Sequence, residues 1–251
     1  MTAGNGTGLG RLGLGSVPLI LMYHAVDTAD HDPHMLSVRP DRFAAQMGWL
    51  RRRGLRGVAV GTLVAAMHAS RARGLVGITF DDGYASVLAN AVPELLRREF
   101  TATVFVIAGR VGQVNDWDRG TPWPLLSRSQ IGELAAAGIE IGSHSATHQP
   151  LAGADPELLE AEVRGSRDSL SRLADAEIRG FAYPYGSMDA AARRAVRAAG
   201  YEYGCAVRTP WAQLGLMALP RVYMGQRDDP ARMAAKRLLY RADIAVRGGR
   251  S

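Results

Sequence analysis

Two adjacent carboxylates, Asp81 and Asp82, end an apolar run that starts at Leu75, and Gly83 follows them directly. The run contains several β-branched residues, which is typical of a buried parallel strand. Because an unpaired charge in a low-dielectric interior is heavily penalised, two acids in this position need a metal, a cationic partner or solvent. An Asp-Gly turn that caps a helix would account for the same residues, so this stretch alone leaves both interpretations open.

Histidines follow two other apolar runs of the chain. His144 and His148 are four residues apart, a spacing that would place both imidazoles on one side of a helical turn. Neutral imidazole binds zinc and neighbouring transition metals, and one carboxylate would complete a set of three ligands. Three protein ligands leave a position for water, which is typical of a catalytic metal site. His24 follows the run from Pro18 to Tyr23 and, taken by itself, is most simply a satisfied strand-end histidine.

This set of acids and imidazoles is suited to the hydrolysis of an amide or an ester. One aspartate could hold the metal while its neighbour stays free to accept a proton from water. A separate acid would then protonate the leaving group. Cys205 is the single cysteine, so a cysteine-based structural zinc site and an intrachain disulfide are both excluded.

The elements that must position these residues are strands alternating with helices, at a spacing suited to right-handed βαβ units. The strand candidates are Pro18–Tyr23, Gly57–Val60, Leu75–Phe80, Thr101–Ile107, Ile139–Gly142, Ile178–Tyr183, Tyr201–Val207 and Leu219–Tyr223. We expect a single-domain α/β fold, a barrel or incomplete barrel of about seven parallel strands, over residues 17–241. Residues 1–16 are predicted to be a flexible leader, and residues 242–251 a frayed tail after a helix ending at Tyr240. In such a barrel the carboxyl ends of the strands lie on one face, so the acids and histidines would converge there.

The amino-acid composition limits the classes of partner that we expect. The net charge of +6 comes mostly from arginines on predicted helix faces or ends, and no nucleic-acid motif accompanies them. We therefore expect no nucleic-acid partner, and only a weak preference for an anionic polymer or membrane surface. No run approaches the roughly 20 apolar residues that a membrane span needs. The run from Val17 to Tyr23 is too short for a typical signal sequence, so the sequence predicts a cytoplasmic protein.

Three segments resemble the motifs of the polysaccharide deacetylases of carbohydrate esterase family four, the nodulation-type deacetylase fold. Thr79–Tyr84 (TFDDGY) is similar to the first motif, His144–His148 (HSATH) to the second and Phe181–Gly186 (FAYPYG) to the third. In weaker form the resemblance covers roughly residues 18–223. It implies a distorted (β/α) barrel and the metal-dependent removal of N- or O-acetyl groups from sugars, commonly from N-acetylglucosamine.

The resemblance also implies roles for individual residues. Asp81 would be the general base, and a divalent metal would be held by Asp82, His144 and His148. Zn²⁺ is the expected metal, with Co²⁺ or Ni²⁺ as alternatives. The backbone N–H of Tyr185 would help to stabilise the oxyanion. Substrate contacts are expected from four further residues: Tyr84, Asn115, Trp117 and Pro184.

Two departures from the family pattern concern the base and the acid. The third motif usually begins with an arginine that orients the base, but this position is Ala182, and we expect Arg221 to hold Asp81 instead. Many members supply a late histidine as the acid, whereas no histidine follows His148 here. His24 would take that role, as in the rearranged branch that includes bacterial poly-β-1,6-N-acetylglucosamine deacetylases.

Three alternatives to a sugar deacetylase remain open. An amidohydrolase of the same fold could act on a non-sugar C–N bond. A carbohydrate-binding relative without catalysis is a second possibility, although binding alone does not need a base beside a metal. A phosphatase built on paired aspartates would not require the two histidines. The expected partner is an acetylated oligo- or polysaccharide, and the sequence leaves the oligomeric state open.

Overall fold

Nine short strands form one parallel sheet in a computed structural model, which describes residues 17–117, 122–207 and 214–248. The strands of this sheet are β1 (Ile20–Tyr23), β4 (Arg56–Val58), β5 (Leu75–Phe80), β6 (Thr103–Val106), β7 (Glu140–Ser143), β8 (Gly180–Ala182), β9 (Tyr203–Ala206), β10 (Leu219–Pro220) and β11 (Val222–Tyr223). A separate two-stranded sheet consists of β2 (Ala25–Val26) and β3 (Ser37–Val38).

Eight strands follow a continuous path in the order β10-β9-β8-β7-β6-β5-β1-β11. The ninth, β4, pairs with the first half of β5. Only Arg221 separates β10 from β11, and these two strands pair with the strands next to opposite ends of the path, β9 and β1. The segment from Leu219 to Tyr223 therefore joins the two edges and nearly closes the sheet. The predicted distorted (β/α) barrel is confirmed.

The helices surround this barrel. They are α1 (Pro40–Arg52), α2 (Val60–His68), α3 (Val92–Leu96), α4 (Arg128–Ala136), α5 (Pro156–Leu159), α6 (Ser166–Ala174), α7 (Ala190–Ala198) and α8 (Pro230–Gly248). One π-helical turn, Val87–Ala91, leads into α3, and a second, Glu160–Gly165, joins α5 to α6. The start of α4 is a capping box, in which Ser127 and Gln130 exchange hydrogen bonds between side chain and backbone N–H.

Alternate residues of the strands pack on the two faces of the sheet. Ile20, Phe105 and Tyr203 belong to a cluster that includes apolar residues of α2, whereas Leu21 and Tyr23 belong to the larger cluster with the surrounding helices. Gly180 makes room for the first cluster, because a Cβ there would overlap the Tyr203 ring. The strands are thus held on both sides, which fixes where their carboxyl ends lie.

The C-terminal helix is longer than the sequence predicts. The last helix does not end at Tyr240 but continues through Gly248, so the predicted tail is helical from residue 242 to Gly248. The predicted leader, residues 1–16, lies outside the described residues, as do residues 249–251. No helix within the described parts of the chain is long and apolar enough to cross a membrane.

Candidate active site

The carboxyl ends of β5 and β7 bring together the three predicted metal ligands. One ligand atom from each of Asp82, His144 and His148 lies within 4.8 Å of the others, and all three residues are buried. Asp82 Oδ1 is 3.3 Å from His144 Nε2 and 3.4 Å from His148 Nε2. The predicted grouping is confirmed.

The hydrogen bonding of His144 determines which of its nitrogens can bind a metal. His144 Nδ1 is 2.8 Å from the backbone oxygen of Ala182. Because a carbonyl can only accept, Nδ1 carries the proton and Nε2 faces Asp82. Two imidazole nitrogens and one carboxylate oxygen, buried together, fit a divalent transition metal. A backbone carbonyl that orients a ligating histidine in this way is common at metal sites.

The segment that carries the two histidines is irregular, so the prediction of a shared helical turn is wrong. Ser145 and His148 have left-handed backbone conformations, with φ values of 67° and 68°. Ser145 Oγ accepts a hydrogen bond from the His148 N–H at 2.9 Å, which closes the segment into a tight loop. A spacing of four residues suggests a helix, but here a tight loop directs both imidazoles toward Asp82.

Glu162 holds the same loop from outside and was missed in the sequence analysis. It lies buried in the π-helical turn Glu160–Gly165 and accepts hydrogen bonds from the N–H groups of Ala146 and Thr147 at 3.0 and 2.9 Å. Its second oxygen accepts from Thr147 Oγ1. No sequence signal separates this glutamate from its neighbour Glu160, because the π-helical turn that presents it is not visible as a pattern.

Asp81 is held by a buried arginine from the opposite end of the chain. The Arg221 guanidinium donates to both carboxylate oxygens of Asp81, at 2.6 and 2.7 Å, and also to Thr79 Oγ1 at 3.2 Å. Arg221 also lies over the Phe105 ring, 5.5 Å from its centroid. The predicted contact between Arg221 and Asp81 is confirmed. It occurs because the strand that closes the barrel brings Arg221 next to β5.

The site's ionisable groups shift one another's pKa values. Burial would raise the pKa of Asp81, but the charge of Arg221, aided by that of His144, outweighs it and lowers this pKa. Burial likewise opposes the ionised form of Asp82, yet the hydrogen bond from His144 and nearby imidazole charge keep its pKa low. Burial and the neighbouring charge of His144 lower the pKa of His148 to about 4. Asp81 and Asp82 are therefore carboxylates at neutral pH, and His148 is a neutral imidazole.

His24 follows β1 on the same face and is half-buried. Its electrostatic influence reaches Asp81, Asp82 and His148. Its ring centroid lies 6.4 Å from that of Tyr223. Among the described residues, no group hydrogen-bonds to the buried Nδ1 of His24. The structure thus places His24 on the same face of the barrel as the acids, and its role as the acid stays a prediction.

Aromatic side chains flank the metal-ligand group. The Trp117 and Tyr185 rings lie 5.0 and 4.6 Å from the His148 ring, centroid to centroid. Tyr185 is 62% exposed and has a left-handed backbone, with φ of 57°, in the short turn Pro184–Gly186. Pro184 is buried at the start of this turn. Trp117 and Tyr185 therefore border the site, and Pro184 fixes the turn that carries Tyr185.

Tyr84, which follows β5, packs with Asn115 against the interior of the loop before α4. Both are buried, and Asn115 Nδ2 lies 3.4 Å from the Tyr84 hydroxyl oxygen. The side-chain oxygen of Asn115 accepts from the Trp123 N–H at 2.5 Å, and the Trp123 ring packs edge-on against Tyr84. This geometry explains the two residues as braces of the loop and gives no support to their predicted substrate contact.

Comparisons with known proteins agree with this site. The polysaccharide deacetylase family model matches residues 68–204. YxkH of Bacillus subtilis, whose name as a polysaccharide deacetylase is provisional, is 28% identical over 207 residues, or 81% of this chain and 70% of YxkH. The poly-beta-1,6-N-acetyl-D-glucosamine N-deacetylase of Staphylococcus epidermidis is 25% identical over 178 residues, or 67% of this chain and 60% of that protein.

A solved structure shares the fold. The Streptococcus pyogenes deacetylase PplD, in complex with acetate, matches with a TM-score of 0.74 and 24% identity over 87% of this chain and 97% of PplD. The family model itself spans more than half of the chain. Its range includes the metal-ligand group of Asp82, His144 and His148, and also the neighbouring Asp81. The chain therefore belongs to the polysaccharide deacetylase family.

Proposed function

We propose that this protein is a metal-dependent hydrolase that removes N-acetyl, or O-acetyl, groups from a saccharide containing N-acetylglucosamine. The observation that carries the proposal is the buried group of Asp82, His144 and His148 directly beside the Asp81–Arg221 pair. The named activity of the Staphylococcus epidermidis relative supports the substrate class.

The metal in this proposal is divalent, with Zn²⁺ expected, and is held by Asp82, His144 and His148. Its chemistry, when bound, is to lower the pKa of a water molecule and to polarise the acetyl carbonyl. The protein supplies three buried ligand atoms already gathered on one face of the barrel. The bond from His144 to the Ala182 carbonyl keeps one of them in the required tautomer.

Asp81 is the proposed general base. Arg221 engages both of its oxygens, which keeps the carboxylate ionised and fixes its direction. Each oxygen retains a second lone pair, so the carboxylate can still accept the proton of the attacking water. Arg221 is accordingly a positioning residue for the base.

His24 is the proposed general acid, and the N–H of Tyr185 the proposed oxyanion donor. His24 directly follows β1, which pairs with β5, the strand that leads to both aspartates. It can deliver a proton to the departing amine or alcohol. The left-handed backbone at Tyr185 sets the direction of its N–H, and such donors stabilise developing negative charge best when they are fixed in advance.

The exposed aromatic side chain at the site favours a sugar over a small non-sugar amide. Tyr185 offers a ring face to solvent, and its neighbour Trp117 lies on the same histidine. Aromatic faces of this kind bury the apolar faces of saccharide rings, whereas a small amide would gain little from them. The alternative amidohydrolase is therefore less well supported.

The test is acetate release from N-acetylglucosamine oligomers by the purified protein. The assay is run before and after chelation, and after adding back zinc, cobalt or nickel. We expect chelation to abolish release, metal to restore it, and His144→Ala to lose both the metal and the activity. Absence of release from protein that carries one metal per chain would exclude this substrate class. Absence of metal binding would exclude the metal-dependent mechanism.

A further inference from the structure

The end of the barrel opposite the candidate active site carries a cationic surface. A depression of about 490 Å³ lies where β1 and β5 begin, bordered by Arg73, Arg237 and Arg241. We use the name amino-end patch for this surface, which comprises the following residues: Arg53, Arg73, Arg237, Arg241, Leu238 and Leu239. Its basic residues come from separate segments of the chain, after α1, after α2 and along α8.

The positive charges of the amino-end patch act on one another. Partial burial and the charges of Arg241 and Arg53 lower the pKa of Arg237. Within the described parts of the chain, no carboxylate forms a salt bridge with Arg73, Arg237 or Arg241. The negative charge of Asp243 reaches Tyr240, which lines the depression, but the arginines outnumber it. The excess of guanidinium groups leaves a local positive potential that attracts anions.

The solvent-exposed side of α8, the helix that borders the depression, carries two adjacent leucines. Leu238 and Leu239 are 69% and 67% exposed, the largest exposures among the large apolar side chains of the described residues. Ala231, Ala235 and Ala242 are also exposed, and with Leu238 they form an apolar stripe along α8 at helical spacing. Arginine and lysine side chains lie on both borders of this stripe.

We propose that the amino-end patch docks on an anionic lipid bilayer. A phospholipid head group would occupy the depression among Arg73, Arg237 and Arg241, and Leu238 and Leu239 would enter the boundary between head groups and acyl chains. A helix with basic residues beside an apolar stripe binds bilayers in two ways: its charges are attracted to anionic head groups, and its apolar side chains are buried at the membrane boundary.

Two other occupants fit this surface less well. A second copy docking through α8 would bring the basic side chains of two identical helices together, including Arg232, Lys236, Arg237 and Arg241, and this repulsion opposes the contact. A nucleic acid would satisfy the arginines but would leave the exposed leucines without an apolar partner. A bilayer satisfies both parts of the surface.

The depression lies at the other end of the barrel from the candidate active site. The amino-end patch lies where β5 begins at Leu75, and Asp81 follows its other end. Strands rise about 3.3 Å per residue, so roughly 20 Å separates the two. Because α8 runs along the side of the barrel, from Tyr223 at the carboxyl end to Pro18 at the amino end, a bilayer bound to it would lie beside the barrel and not across the face that carries the candidate site. The proposal does not depend on which reaction the site performs.

The experiment is co-sedimentation of the full chain with vesicles of phosphatidylglycerol and phosphatidylcholine, or of phosphatidylcholine alone. We expect binding to the anionic vesicles only, weakened by added salt. Arg237→Gln with Arg241→Gln should reduce the binding constant roughly thirtyfold, because each basic residue near an anionic surface contributes a factor of about five. Leu238→Ser with Leu239→Ser should reduce it at least about fivefold.

The matched control is Arg194→Gln with Arg197→Gln, which changes the net charge equally on the exposed face of α7. This control should bind as the unchanged protein does. Equal binding to both kinds of vesicle, or equal losses in the control and the α8 arginine variant, would overturn the proposal. Full binding by the leucine variant, or displacement of the vesicles by duplex DNA, would assign the surface to an anionic polymer instead.

Discussion

Two glutamates at opposite ends of the barrel hold the backbone by the same chemistry. At the carboxyl end, Glu162 accepts from two N–H groups and from the Thr147 hydroxyl. At the amino end, Glu140 accepts from the Gly61 N–H at 3.0 Å and from Thr103 Oγ1 at 2.6 Å. Glu162 steadies a loop between two candidate metal ligands, whereas Glu140 steadies the start of α2. Carboxylate hydrogen bonds of the same kind therefore hold the candidate site at one end and the fold at the other.

The two ends of the barrel also differ in where their left-handed, non-glycine residues lie. At the carboxyl end, Asp82, Ser145, His148 and Tyr185 are left-handed without being glycine, and each borders the candidate site. Sparsely populated conformations of this kind cost about 1–3 kcal/mol each and persist where the surroundings enforce them. At the amino end, Ser70, Glu99 and Asp175 are left-handed as well, but they follow the last turns of α2, α3 and α6, which is an ordinary way to end a helix. Four left-handed residues that do not end a helix are thus gathered at the candidate site.

The substitution with the largest expected effect is Asp81→Asn, at the carboxyl end of the barrel. Asparagine keeps an acceptor for Arg221 but cannot take a proton, so we expect the rate of acetate release to fall roughly 10²–10⁴-fold. Metal content should stay at the level of the unchanged protein. The exposed Asp41 on α1 supplies the control, because Asp41→Asn should leave the rate unaltered. A near-normal rate for Asp81→Asn would remove Asp81 from the role of base.

The second effect concerns the loop held by Glu162. Glu162→Ala should weaken metal binding about 10–100-fold, measured by competition with a chelator, because the loop loses three hydrogen bonds. Glu162→Gln should recover most of the affinity, since its amide oxygen can accept from both N–H groups while its NH₂ donates to Thr147. Glu160→Gln, on the exposed side of the same turn, serves as the control. If Glu162→Ala lowered only the melting temperature and spared metal affinity, Glu162 would be a brace of the fold like Glu140.

The smallest effect is expected from Glu140→Ala at the amino end. Loss of its bonds to Gly61 and Thr103 should lower the free energy of unfolding by about 1–3 kcal/mol, measured by denaturant titration. Metal affinity should remain within about twofold of the unchanged value, because about 13 Å of strand lies between Glu140 and the ligand His144. A loss of metal affinity as large as that of Glu162→Ala would show that the two ends are not independent.

The sequence predicts the residues of the site better than the shape of the segments that carry them. Asp82, His144 and His148 could be grouped in advance because strand ends of a parallel barrel converge, and the position of Arg221 followed from the family pattern. The shape of the turn from His144 to His148 could not be predicted, because its left-handed residues, Ser145 and His148, are not glycines. Tyr84 and Asn115 are chemically suited to a sugar, but their burial depends on loop packing that no local pattern records.

Closure of the barrel by a strand split at Arg221 has a consequence for how the protein can be divided. The three recognisable motifs lie within residues 68–204, yet β1 with His24 and the closing segment with Arg221 lie outside that range. A fragment cut to the motifs would leave Asp81 as a buried charge without its partner, a loss of about 3–5 kcal/mol. The smallest autonomous catalytic unit is therefore set by the closing segment and not by the motifs, and a split-protein design would have to keep β1, β5 and β11 on complementary pieces that reassemble.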